Sequence, residues 1–196
     1  MALRNAVMAA LLEGEASGYD LAKGFEASVA NFWMATPQQL YRELERMESE
    51  GLVSARVVQQ ERRPNKRLFS LTDAGLQVLR DYVGEAPAKP PALRDELMVK
   101  VQCVDIGDVG DFEAVRASVA ERFERATAKL ARYRRMQERM LDGRTEDEYL
   151  ATAERIGPYL TLQGGIALER ANLQWSETAL KRLEQRAAAL AESSGG

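Results

Sequence analysis

Leu3, Val7 and Leu11 recur along one stripe of residues 2–12, the spacing of an α-helix with a single buried face. Ser17-Gly18 opens a second helical stretch, in which Tyr19, Leu21, Ala22 and Phe25 supply the apolar positions. A third begins at Thr36-Pro37, a favoured N-cap followed by a favoured first helical residue, and is expected to end at Gly51. Its inward face is Leu40, Leu44 and Met47, at i, i+4 and i+7. The pattern then changes period. "LVSARVVQQ" and "KRLFSL" are β-favouring runs separated by a charged stretch in which Pro64-Asn65 suits a turn, so they predict a hairpin. "LTDAGLQVLRDYV" returns to helical spacing, with Thr72 as N-cap and Leu76, Leu79 and Val83 facing in.

"GEAPAKPP", residues 84–91, places three prolines in five residues and cannot continue a helix. It predicts a linker over 85–91 between a domain at 1–84 and a second at 92–191, with a disordered tail at 192–196. The second domain reads as wholly helical: a short helix near 92–104, a long one from about 109 to 141, another starting near Thr145 and meeting Gly157-Pro158, and a last one to about 191. In the long helix Phe112, Val119, Ala126, Tyr133 and Met140 recur every seven residues, with Val115, Phe123, Leu130 and Met136 between them, a coiled-coil-like seam. The last helix carries Leu162, Ile166, Leu173, Leu180, Leu183, Ala187 and Leu190 on one side. Leu168, Ala171, Trp175 and Ala179 form a second stripe roughly opposite. Two apolar faces need two partners, and so few helices cover only one, so the second stripe predicts a homodimer. Gly164-Gly165 suits either close backbone approach or a kink.

Composition narrows the chemistry. The 196 residues hold 27 basic and 30 acidic side chains, a formal −3, so attraction to a polyanion has to be local. There is no histidine and a single cysteine, Cys103, which lies on an apolar helix and is expected in the core. An internal disulfide is excluded, and the commonest zinc ligand and general base are missing. No phosphate loop, nucleophile–base pair or distinctive carboxylate pair is legible; neither enzyme, cofactor nor metal site is expected. The apolar run from Ala6 to Leu12 is only at the lower limit of a secretion signal, and no stretch approaches the roughly 20 apolar residues of a membrane span. A cytoplasmic protein without membrane contact is expected.

Three helices followed by a hairpin is the layout of a winged helix-turn-helix. The expected fold is therefore mainly α with a small β-hairpin, joined to an all-helical dimerisation domain. The third helix should enter the major groove of double-stranded DNA by its N-terminal residues. With Leu40, Leu44 and Met47 inward, Gln38 and Arg42 turn outward and Gln39, Tyr41 and Arg46 flank them, beginning from Thr36. Glutamine can pair with adenine, arginine with guanine or phosphate, and tyrosine with the backbone. Glu43 and Glu45 are unfavourable near a polyanion unless they orient the arginines. From Ser54 to Thr72 five basic residues (Arg56, Arg62, Arg63, Lys66, Arg67) face one acid, Glu61, a local +4. Arg62, Arg63, Asn65, Lys66 and Arg67 thus form a basic wing tip suited to phosphates or the minor groove. The competing reading is a winged helix that binds protein, since fold alone does not dictate function, but such a module should lack the basic tip.

"SGYDLAKGF", "TPQQLYRELERMESEGLV" and "RRPNKRLFSLTDAG" resemble the PadR family of transcriptional regulators. "LRDELMVKVQCVD" and "GGIALERANLQW" resemble the dimerisation segments of members with a compact, virulence-activator-like helical C-terminal domain. The resemblance implies a homodimer on a palindromic operator, usually a repressor. It matches Tyr41 to the family's recognition-helix tyrosine, and Arg63-Pro64 with Lys66 and Arg67 to its wing tip; Arg62 stands where glycine is common. It also implies a small aromatic or cationic effector in a cavity at the dimer interface, which Trp33 and Trp175 could wall; the competing reading is packing, Trp175 as a buried anchor of the last helix and Trp33 as a core or interdomain residue between helices two and three.

Overall fold

The computed structural model describes residues 2–25, 35–59, 65–86, 94–106 and 109–194. The chain divides into two compact units, Met1–Lys89 and Pro90–Gly196.

The first unit is built in the order α1 (Ala2–Leu11), β1 (Ala16–Ser17), α2 (Gly18–Phe25), α3 (Pro37–Ser49), β2 (Val53–Val58), β3 (Lys66–Leu71) and α4 (Asp73–Gly84). β2 and β3 pair antiparallel from Val53 opposite Leu71 to Val58 opposite Lys66, and β1 adds to the other edge of β3, giving the order β1-β3-β2. β1 is absent from the sequence reading, because two residues carry no period. One core joins the elements: Val7, Met8 and Leu11 of α1, Leu21 of α2, Leu40, Leu44 and Met47 of α3, Val53 and Phe69 of the sheet, and Leu79 of α4.

Local chemistry sets the limits of α3. Thr36 accepts from the Gln39 backbone N–H at 3.2 Å, and the Gln39 side chain accepts from the Thr36 N–H at 2.9 Å, a reciprocal capping box beside Pro37. At the other end Gly51 takes φ +73°, where it donates to the Glu48 carbonyl while Leu52 donates to Met47. This left-handed closure turns the chain into β2 with Leu52 buried beside Met47. Two apolar positions do not face the core as expected. Tyr19 is exposed at the start of α2, and Val83 is 81% exposed in the last turn of α4, whose packed face is Gly75 and Leu79.

The second unit is entirely helical among its described residues: α5 (Glu96–Gln102), α6 (Val109–Leu141), α7 (Glu146–Thr152) and α8 (Gly157–Ser194). α6 and α8 pack along most of their length. The seven-residue seam of α6 is the buried face, with Phe112, Val119, Ala126 and Tyr133 all inside. Two apolar clusters flank a more polar middle. Leu130, Tyr133, Leu162 and Ile166 form one; Phe112, Val119 and Leu183, with Leu97, Val101 and Val104 against them, form the other. Between these clusters lie Ala126, Glu169 and Ser176, all buried.

Gly157-Pro158 starts α8 rather than ending α7, which stops at Thr152. Proline fits there because a first-turn N–H has no helical acceptor to lose. α8 passes through Gly164-Gly165 as one helix and continues to Ser194, into the stretch expected as tail. Cys103 is the C-cap of α5 and exposed, not in the core: the segment packs through Leu97, Val101 and Val104, and Cys103 lies off that face.

Candidate nucleic-acid interface

The polar face of α3 is built by its buried one. With Leu40, Leu44 and Met47 locked into the core, Thr36, Gln38, Gln39, Tyr41, Arg42 and Arg46 are all exposed. They are not equivalent. Gln38 and Arg42 project from the first turns. The Gln39 side-chain oxygen is committed to the Thr36 cap, although its NH2 group is not. Tyr41 lies across Gly18 at the start of α2; a Cβ built on Gly18 would stand 2.2 Å from the Tyr41 ring, so only glycine leaves the ring this place. Arg46, in the last turn, donates to Glu50 at 2.9 Å, and Glu50 also takes Arg4 at 2.7 Å. The Arg4 and Arg46 hydrogen bonds hold the Glu50 carboxyl below the usual carboxylate range. Glu43 orients Arg4 at 3.3 Å, not an arginine of the helix's outer face.

The hairpin brings its basic residues to the same unit. Asn65, Lys66 and Arg67 stand at the start of β3, opposite Val57 and Val58. Arg62, Arg63 and Pro64 lie outside the described residues, as does Trp33. Lys66 is 2.6 Å from Asp20, whose carboxyl is held below its usual range by Lys66 and then by the Ser17 hydroxyl. Arg67 is 2.6 Å from Glu48 of α3 and lies over the Phe69 ring at 5.2 Å. Arg56 pairs with Glu15, which lowers the glutamate's pKa and raises the arginine's. These carboxylates are partners that composition could not assign. The only sequence trace of one is Ser17-x-x-Asp20, whose members bond reciprocally at the mouth of α2.

The predicted dimer stripe on α8 splits in two. Leu168 is 47% exposed and Ala171 is also exposed, whereas Trp175 and Ala179 pack into the subunit's own cluster with Leu180 and Leu183. One face of Trp175 is covered by the Arg122 guanidinium at 5.5 Å. Arg122 in turn forks onto Asp95, the N-cap of α5, at 2.6 and 2.7 Å, drawing the Asp95 carboxyl below its usual range. Beside this pair lies a polar cavity of about 250 Å³ lined by Asp95, Arg122, Arg125, Lys129, Glu169 and Asn172. Among the described residues no cluster of carboxylates and thiols could hold a metal ion, and no helix is long and apolar enough to cross a membrane.

A helical unit with a capped, outward-facing third helix and an adjoining three-stranded basic wing defines a DNA-binding winged helix protein. Comparison with known proteins makes this more particular. Residues 7–81 match the transcriptional regulator PadR-like family, and residues 93–184 match the virulence activator alpha C-terminal domain. A probable transcriptional regulator of Mycobacterium tuberculosis, Rv1176c, is 33% identical over 95% of this chain and 100% of its own. Bacillus subtilis PadR in complex with operator DNA superposes with a TM-score of 0.71 at 25% identity, over 93% of this chain and 99% of that one. The same Bacillus protein with p-coumaric acid gives 0.65 at 24% identity, over 94% and 99%. The Vibrio cholerae virulence activator AphA gives 0.64 at 27%, also over 94% and 99%. The chain belongs to the PadR family of transcriptional regulators, which are not enzymes.

Proposed function

We propose that this regulator acts in the cytoplasm as a homodimer on a palindromic operator, represses the genes beside it, and is released by a small aromatic or cationic effector. The observation that carries the DNA reading is the placement, in one compact unit, of the exposed face of α3 beside the basic base of the wing: Arg67 meets Glu48 in the last turn of α3, and Lys66 meets Asp20 of α2, two residues from the Gly18 that seats Tyr41. Gln38 and Arg42 read base edges; Tyr41 and Thr36 reach phosphates; Gln39 chiefly caps; and Arg46, at the far end of the helix, steers. Arg62, Arg63, Asn65, Lys66 and Arg67 lie along the phosphates or the minor groove. The operator complex of the Bacillus relative supports double-stranded DNA as the partner of this unit.

Dimerisation is assigned to α8 through Leu168 and Ala171, whose exposure leaves them for a second copy, with Trp175 and Ala179 stiffening the helix beneath. The p-coumaric acid complex of the Bacillus relative supports a small-molecule release signal, and Trp33 and Trp175 remain the candidate aromatic walls. The test is binding to the DNA upstream of the protein's own gene across a salt series. If four tip charges in each of two subunits touch phosphate, they contribute about −7 to the log–log slope, at roughly −0.9 per contact. Replacing Arg62, Arg63, Lys66 and Arg67 by alanine should flatten that slope; an unchanged slope rejects the wing assignment. Gln38→Ala or Arg42→Ala should lower discrimination between operator and random duplex, and equal losses on both reject base reading.

A further inference from the structure

Three of the five cations between Ser54 and Thr72 already end on carboxylates outside that segment. Lys66 meets Asp20 in the first turn of α2, Arg67 meets Glu48 in the last turn of α3, and Arg56 meets Glu15 just before β1. The strand register places these contacts on both faces of the hairpin. Arg67 alternates to the same side as buried Phe69, where α3 lies, whereas Lys66 shares the opposite side with Leu68 and with Arg56, which stands across from Leu68. The base of the wing is thus gripped from two sides by acids on two helices and on the loop before β1. All three pairs are partly open to solvent, and such pairs add little to stability. Their effect falls elsewhere: a carboxylate in hydrogen-bonding distance of a cation stands where a phosphate oxygen would stand in a complex.

Building on the wing assignment above, we infer that Asp20 and Glu48 are resident competitors of the DNA backbone, holding Lys66 and Arg67 in the free protein and being displaced when a duplex enters. Any duplex, random or specific, must break these contacts before the wing's base can neutralise phosphate. Binding to random DNA is carried almost wholly by such phosphate contacts, so the competitors reduce it directly. Operator binding bears the same cost and offsets it with base-edge contacts from α3. The acids therefore set the affinity threshold at which the regulator leaves random DNA for its site. They also aim the wing before contact, because each cation is held at one end of a fixed acid.

Competition has a signature that simple repulsion lacks. The salt slope counts phosphates neutralised, and Lys66 neutralises the same phosphate whether or not Asp20 held it beforehand. Removing the acid should therefore raise affinity without changing the slope, and only while the lysine is present. The experiment is fluorescence anisotropy on a random-sequence duplex over a salt series, with wild type, Asp20→Asn, Lys66→Met and the double variant. Glu48→Gln, Arg67→Met and their double form a second, independent set, and circular dichroism checks the fold of each. The expected result is a gain of about two- to fivefold for each pair released, at unchanged slope. Lys66→Met should weaken binding and make the slope shallower by roughly 0.9 per subunit. In the double variant the Asp20→Asn gain should vanish. An equal gain in both backgrounds would show that Asp20 only repels DNA, and a loss of affinity in Asp20→Asn would show that the pair only positions the wing; either overturns the inference. Unchanged binding by both Lys66→Met and Arg67→Met would instead defeat the wing assignment itself, and the inference with it.

Discussion

Replacing Gly75 by alanine tests how the wing is joined to the helical body. Gly75 sits in the first turn of α4, where its N–H donates to the Thr72 hydroxyl oxygen at 3.1 Å. Thr72 also ties the turn to the chain entering β2: its N–H donates to the Leu52 carbonyl at 3.1 Å, and its hydroxyl to the Gly51 carbonyl at 2.7 Å. A Cβ on Gly75 would lie 2.1 Å from that same Leu52 oxygen and 3.2 Å from Leu71. The obstacle is backbone, held between the left-handed turn at Gly51 and the first residue of β2, so it cannot swing aside. In an unhindered helix alanine is favoured over glycine by about 1 kcal/mol. Here overpacking costs about 1–3 kcal/mol, and parting α4 from Leu52 weakens one or two hydrogen bonds at about 1 kcal/mol each. The net expectation is a loss of about 1–4 kcal/mol, confined to the first unit. Hydrogen exchange under rising urea, read segment by segment, should show β2, β3 and α4 losing protection while α6 and α8 do not. Gly84→Ala is the control, because nothing lies within 4 Å of its added methyl, and it should be neutral or slightly stabilising. A Gly75→Ala protein as stable as that control would refute the packing account.

Gly18→Ala should act on binding more than on stability: the clash is with the movable Tyr41 ring, so thermal unfolding should shift little while operator affinity in anisotropy falls. Asp95→Ala removes both the α5 cap and the Arg122 fork and should cost about 1–3 kcal/mol in denaturant unfolding. Because Arg122 lowers the folded Asp95 pKa, this contribution is present above the carboxyl's unfolded pKa and is lost as pH falls through the lower, folded value. The acid-side fall in melting temperature should therefore shrink in Asp95→Asn, and an unaltered profile would count against the pair. Leu168→Glu with Ala171→Glu places charge on an exposed part of α8 that the subunit does not bury. It should convert a sedimenting dimer to a folded monomer, and an intact dimer would move the interface elsewhere.

Much of this architecture was legible because its signals are local. Thr36-Pro37, Thr72 and Thr145 act on donors within three residues, and the seam from Phe112 to Tyr133 needs only a repeat of seven. The outward set of α3 followed from Leu40, Leu44 and Met47 because a helix turns residues three and four apart to one side. Gln39 shows where that logic stops: exposed as expected, it spends one end of its amide on the cap. β1 exists only because β3 offers an edge, and Val83 is exposed while the packed face of α4 runs through Gly75 and Leu79. On α8, one stripe of similar residues divides into a packed half, Trp175 and Ala179 in the cluster that also takes Leu97 and Val101 of α5, and an open half, Leu168 and Ala171. The amino-acid sequence alone determined the helices and the hairpin, the caps at Thr36 and Thr72, the heptad seam and the basic surplus of the hairpin. Only the tertiary structure decided which acids meet those bases: Asp20 and Glu48 reach Lys66 and Arg67 across many intervening residues. Charge pairing of that kind has no period, since it depends on which elements the core has already brought side by side.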